Sequence, residues 1–394
     1  MMDNGPSMEA VMQNKRLIQR LHINSPLLST LSTSARVEFI SSIMTGSVLT
    51  TLDLTSTPIR EIEARALALA IETNSTLTTL KLKRCSISAT GAQMLAKALE
   101  INATLTFLSL DMNDVRENGA LALAEALRIN STLSTLNLWG NKIEDQGVQA
   151  LVSALKINSA LSSLGLCGNF IEDQGAQELA ELLKTNSTLT TLDLTSNCIE
   201  WSGAQALAEP LKTNSALTTL ELRCNDIGDR GALALAEALK INTTLTDLDL
   251  DLGGNSIGQD GAKMLAEALK SNSVLNSLDL SDNSIGCNGA EVLAQALKFN
   301  LSLTCLHLGS NGIGDDGAQA LAEALKTNSV LTTLELWSNM IGANGAVALA
   351  MSLKINSTLS ILNLMDNPIE HNGTLALNEV LKTNPTVSIS YHAS

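Results

Sequence analysis

Apolar and polar positions along this chain follow two rhythms in turn, again and again. In "NSTLTTLDLTSNCIE", Leu189, Leu192 and Leu194 lead to Asn197 and Ile199, and Leu192 and Leu194 keep the two-residue period of a strand. In "GAQALAEPLK", Ala204, Leu207, Ala208 and Leu211 recur at helical spacing behind Gly203. The opposite helical face carries Glu and Lys three apart, as at Glu237 and Lys240 or Glu323 and Lys326, and so reads as solvated. Asp315 and Asp316 are typical of the acidic residues placed to favour a helix N-terminus.

This strand-plus-helix unit repeats every 28 residues, counted from Asn74 through Asn356, except for a spacing of 30 between Asn242 and Asn272. A degenerate copy opens at Gly46, so twelve units cover residues 46–383. Residues 1–45 are expected to form a helical cap from "MEAVMQNKRLIQRL" and "SARVEFISSIM". Residues 384–394 are expected to add a closing strand at Pro385–Tyr391 and a tail, since bare ends would expose leucines. A second asparagine column, Asn113 through Asn367, follows the strands, with Thr57 and Cys85 in its place in two units. An amide both donates and accepts, so this column is read as satisfying backbone groups that water cannot reach. Strands stack about 4.8 Å apart while helices need roughly 8–10 Å, which bends such an array. The expected fold is a single-domain α/β solenoid, a horseshoe with parallel strands on the concave face and helices on the convex face.

The pattern L-x-x-L-x-L-x-x-N-x-I followed by a helix, as in "LTTLDLTSNCIEWSGAQALAEPLKTNSA", resembles the leucine-rich repeats of the ribonuclease-inhibitor type from about Gly46 to Asn384. Such repeats occur in ribonuclease inhibitors, in the sensing arms of NOD-like receptors, in Ran GTPase-activating proteins and in effectors of intracellular bacteria. The resemblance implies a protein-binding scaffold. Its alternatives are a GTPase-activating protein of the Ran type and a ribonuclease-inhibitor-like inhibitor of a basic enzyme.

A formal charge of -15 argues against nucleic acid as a partner and leaves a basic protein as the fitting one. The six cysteines are scattered one per repeat without a C-x-x-C pair, which predicts reduced thiols and a cytoplasmic location, or the host cytoplasm for an effector. No apolar run reaches membrane-spanning length, so no membrane association is expected. The histidines His22, His307, His371 and His392 show no metal-ligand spacing, and no nucleophile motif stands near them. The chain is therefore expected to be a monomer without metal, cofactor or catalysis.

Candidate partner-binding residues come from the positions between and after the strand leucines. Aromatics are only 2% of the chain, yet Trp139 and Trp337 are expected to point inward from strands, with Phe107 beside the first. An indole facing water suits a binding hot spot. An acidic run comprises Asp193, Glu221, Asp249, Asp279 and Glu335, with His307 among them as a lone contact residue. In the 30-residue unit, "LDLDLGGN", the register taken from Leu245, Leu248 and Leu250 places the extra pair between strand and asparagine column. Asp247, Asp249 and Asp251 then share one face, the insertion bulges toward the concave opening, and Arg223 pairs with Asp251.

Overall fold

The computed structural model describes all residues except 1–17, 23–27, 29–30, 47, 243–247 and 393–394. The chain divides into two compact units, Met1–Asn197 and Cys198–Ser394, where the sequence suggested one domain. The repeat runs through both.

In the first unit, seven three-residue strands pair in parallel in chain order. They are β1 (Arg20–His22), β2 (Thr51–Asp53), β3 (Thr79–Lys81), β4 (Phe107–Ser109), β5 (Thr135–Asn137), β6 (Ser163–Gly165) and β7 (Thr191–Asp193). Thr79 faces Phe107 and Phe107 faces Thr135, which is the 28-residue period written as register. The second unit repeats the plan with β8 (Thr219–Glu221), β9 (Leu248–Asp251), β10 (Leu275–Asp279), β11 (Cys305–His307), β12 (Thr333–Glu335), β13 (Ile361–Asn363) and β14 (Ser388–Ser390). A helix follows each strand from β2 to β13. This is an α/β repeat solenoid.

One end differs from the sequence expectation. A helix was expected to run to Leu21, but Arg20–His22 form β1 and pair with Thr51–Asp53. An unpaired strand edge gains more from a partner strand than from a covering helix. The expected helix over 34–44 is present as Thr33–Met44, and it docks through a buried ion pair between Arg36 and Glu63, 2.6 Å apart.

Packing follows from the two rhythms. Strand leucines such as Leu80 and Leu82 and helix residues Ala92, Leu95 and Leu99 are all buried. The helices approach closely because small residues face each other: a Cβ at Gly231 would collide with Ile227 and stand 2.9 Å from the Ala204 Cβ. The asparagine column works as expected. Asn141 Nδ2 donates to the Leu110 and Leu138 carbonyls at 2.9 Å, and its own N–H donates to Asn169 Oδ1 at 2.9 Å. The asparagines that open each unit form a second ladder, for Asn130 Nδ2 reaches the Leu99 carbonyl at 2.8 Å while Oδ1 accepts from Leu133 N. Acidic residues at helix starts also reach forward one repeat. Asp229 Oδ1 accepts from Gly258 N and Gly261 N, and Asp315 Oδ1 accepts from Gly342 N and Gly345 N, so each caps the next helix.

Candidate protein-binding face

In the second unit the middle strand positions stand side by side in the order Glu221, Asp251, Asp279, His307, Glu335 and Asn363. Adjacent strands lie about 4.8 Å apart, so four carboxylates in one such row repel. The row relieves this from within. His307 Nδ1 lies 3.3 Å from Asp279 Oδ2, and its Nε2 lies 3.0 Å from Cys305 Sγ. The hydrogen bond to Asp279, followed by that to Cys305, pushes the imidazole up to about 10. Burial opposes ionisation of Asp279, yet the bonds from His307 and Ser281 hold its carboxyl below the usual range.

Arg223 supplies the second cation. Its Nη2 lies 2.5 Å from Asp282 Oδ2 and its Nη1 lies 3.4 Å from Asp279 Oδ2. The guanidinium reaches across a whole repeat because Gly253 stands in its path; any Cβ there would collide with it. The expected Arg223–Asp251 pair is thus replaced by ion pairs with Asp279 and Asp282, although Asp251 still adds its field. Burial, and then the neighbouring charge of Asp279, pushes the Asp251 carboxyl up to about 6, with Oδ1 accepting from Gly253 N at 2.9 Å.

The 30-residue unit needs the largest correction. Thr219 pairs with Asp249, Leu220 with Leu250 and Glu221 with Asp251, two residues later than the sequence register. Asp251 therefore belongs to the middle row, and Asp249 takes the flanking threonine position. Leu252, assigned to a bulge, is fully buried in the core. Counted along the sequence, the two extra residues fall before Leu250 rather than after it, and the pairing of β9 with β10 shifts register between Leu275 and Ser277. Pairing of Leu250 with Leu220 on one side and Leu278 on the other, with Leu252 buried behind it, fixes this choice. Asp247 lies outside the described residues.

The tryptophans stand on the strand face, half-buried. In the first unit Lys83 Nζ lies 4.3 Å from the Trp139 ring centre, and the indole edge lies against Gly168. In the second unit the Trp337 indole covers Gly309 so closely that a Cβ there would collide with it. Each indole thus has packing partners of its own and still presents surface. Phe107 is half-buried at the flanking position of β4, and Asp193 on β7 accepts from Thr195 N at 2.9 Å. Trp201 is the first residue of the helix Trp201–Leu211, with Arg230 4.3 Å from its ring centre. Sequence reasoning missed Asp282, Cys305 and Gly253. Cys305 was detectable, since it stands two residues before His307 and so shares its face.

Among the described residues, no group of three or more His, Cys, Asp or Glu side chains could hold a metal ion, and no helix is long and apolar enough to cross a membrane. The family model described as "Leucine Rich repeat" matches residues 73–96, 102–124, 130–152, 185–208, 213–236, 242–266, 271–294, 299–322 and 327–350. The chain belongs to the leucine-rich repeat family. No curated protein matches this leucine-rich repeat chain. Among solved structures it is similar to an internalin (inlF) from Listeria monocytogenes, at 20% identity and a TM-score of 0.55, covering 98% of this chain and 94% of that one. It is also similar to actin-binding site 2 of leiomodin-1, at 26% identity and a TM-score of 0.34, covering 40% of this chain and 88% of that one. The internalin likeness agrees with the repeat solenoid, and leucine-rich repeats of this kind typically serve protein–protein interaction.

Proposed function

We propose that this chain is a non-catalytic, monomeric scaffold of the ribonuclease-inhibitor type that binds a basic protein on its strand face. The full helix that follows each strand from β2 to β13 supports that repeat type. The observation that carries the reading is the row Glu221–Asp251–Asp279–His307–Glu335, a line of carboxylates held on the rigid backbone of five paired strands. Arg223 and His307 offset part of the charge at Asp279 and Asp282, and the row as a whole still carries more carboxylates than cations, which is what would attract a basic partner at long range. Trp337 supplies apolar area beyond the row, and Trp139 does so on the first unit.

The test is association kinetics with a partner recovered by pull-down on the intact chain. A double variant, Glu221→Gln with Glu335→Gln, is expected to slow association at low salt by on the order of tenfold and to flatten its salt dependence. Equal on-rates for variant and parent at every ionic strength would remove the acidic row from recognition.

A further inference from the structure

The acidic row contains an arrangement that partner binding does not use. Cys305 and His307 alternate on β11, so both side chains leave the same side of the strand, and Asp279 stands opposite His307 on β10. Asp279 Oδ2 engages the imidazole at Nδ1, which turns Nε2 toward Cys305 Sγ, 3.0 Å away. Sulfur, imidazole and carboxylate are therefore in series, the order by which a base is oriented beside a nucleophile. The groups that face His307 are Asp279 and Asp251 from the strands before it, Glu335 from β12, Arg223 from the end of β8, and Cys305 itself. The carboxylates outnumber the one other cation, a setting that keeps the imidazole protonated.

We propose that Cys305 is a modification site, a thiol activated by His307 that peroxide oxidises ahead of the more exposed thiols of this chain. A cation beside the sulfur favours the anionic nucleophile, and a proton on Nε2 serves the leaving group. The Cys305 thiolate attacks one oxygen of hydrogen peroxide, forming an S–O bond as the O–O bond breaks. The departing oxygen takes the Nε2 proton and leaves as water. Sulfur is oxidised to sulfenic acid, peroxide is reduced, and His307 is left neutral. The site stands whether or not the face binds a basic protein.

Accessibility and chemistry disagree about where Cys305 ranks among the six thiols. Cys198, Cys224 and Cys287 are exposed, whereas Cys167 and Cys305 are half-buried. Cys85 is buried, and that burial pushes its thiol up to about 12. The experiment treats the intact chain with limiting hydrogen peroxide in the presence of dimedone, which traps sulfenic acid, and maps the label by peptide mass spectrometry. Cys305 is expected to carry at least about tenfold more label than Cys198, Cys224 or Cys287, with none at Cys85. His307→Gln is expected to bring Cys305 down to the level of the exposed thiols, and Asp279→Asn to lower it by less. Labelling ordered by exposure in the parent chain would overturn the proposal without recourse to any variant. So would unchanged Cys305 labelling in a folded His307→Gln protein.

Discussion

The middle strand row reads Asp53, Lys81, Ser109, Asn137, Gly165 and Asp193 in the first unit, but Glu221, Asp251, Asp279, His307, Glu335 and Asn363 in the second. The leucine core and both asparagine ladders recur in both units, with Thr57 and Cys85 standing in for two ladder asparagines in the first and a register shift on β10 in the second. What differs is the face that touches water: mixed and cationic near Lys81 and Lys83 in one, carboxylate-rich in the other. The difference shows that the 28-residue rule governs every position facing inward and leaves the strand face free to vary. Electrostatics then depend on which neighbours meet. Asp53 and Asp251 occupy equivalent positions, yet Asp53, despite burial, is held low by Thr55 and His22, while Asp251 is pushed up to about 6 by burial and by Asp279.

The comparison would break most visibly in the core. Asn169→Ala in the first unit and Asn311→Ala in the second each strand several buried carbonyls and N–H groups. Each is expected to cost about 3 kcal/mol or more, equally in the two units, as read from denaturant midpoints. A clear inequality would mean that the units are not built alike. Next in size is binding: Trp139→Ala and Trp337→Ala should each weaken partner affinity by ~2 kcal/mol if both faces contribute. Titration calorimetry would show an effect at only one of them if a single unit carries recognition.

Charge sharpens the contrast with opposite signs. Asp251 holds its proton more tightly when folded, so its contribution to stability falls as pH rises from the ordinary carboxyl range through about 6. Asp251→Asn is therefore expected to stabilise the protein near neutral pH by about 1–2 kcal/mol after solvent screening, and to do nothing in acid. Asp53 is the reverse case: its contribution is present above the ordinary carboxyl range and is lost as pH falls through the lowered value. Asp53→Asn should destabilise at neutral pH, and paired pH–stability curves would reveal whether the signs differ. The smallest effect concerns the 30-residue repeat. Residues 247–252 read Asp-Leu three times, so deleting any one pair leaves the same chain, a regular 28-residue unit. Its melting temperature should be unchanged or slightly higher, corresponding to no more than about 0.6 kcal/mol.

That run also explains where sequence reasoning stopped. The leucines, alanines and asparagines declare their burial by period, so strands and helices were legible from spacing alone. Within Asp-Leu-Asp-Leu-Asp-Leu every register has the same pattern, and only pairing with Leu220 on one side and Leu278 on the other decides it. The site around His307 failed for a different reason. Its spacing from Asp279 is one full repeat and its spacing from Cys305 is two, both readable, but a histidine considered alone has no partners to display. Arg223 was harder still, because its reach to Asp282 depends on the missing side chain at Gly253.

The placement of the extra pair separates two kinds of joint in each repeat. From strand to asparagine the spacing never changes: Asn169 Nδ2 bonds the carbonyl of Leu166, Asn283 that of Leu280 and Asn311 that of Leu308, always three residues back. From the opening asparagine to the strand, the chain absorbed two additional residues while Leu252 kept its place in the core. One joint holds its length in every repeat and the other has already varied in length. For an engineer who wants to graft a foreign loop without disturbing the strand face, the stretch of sequence ahead of the strand is the place to cut.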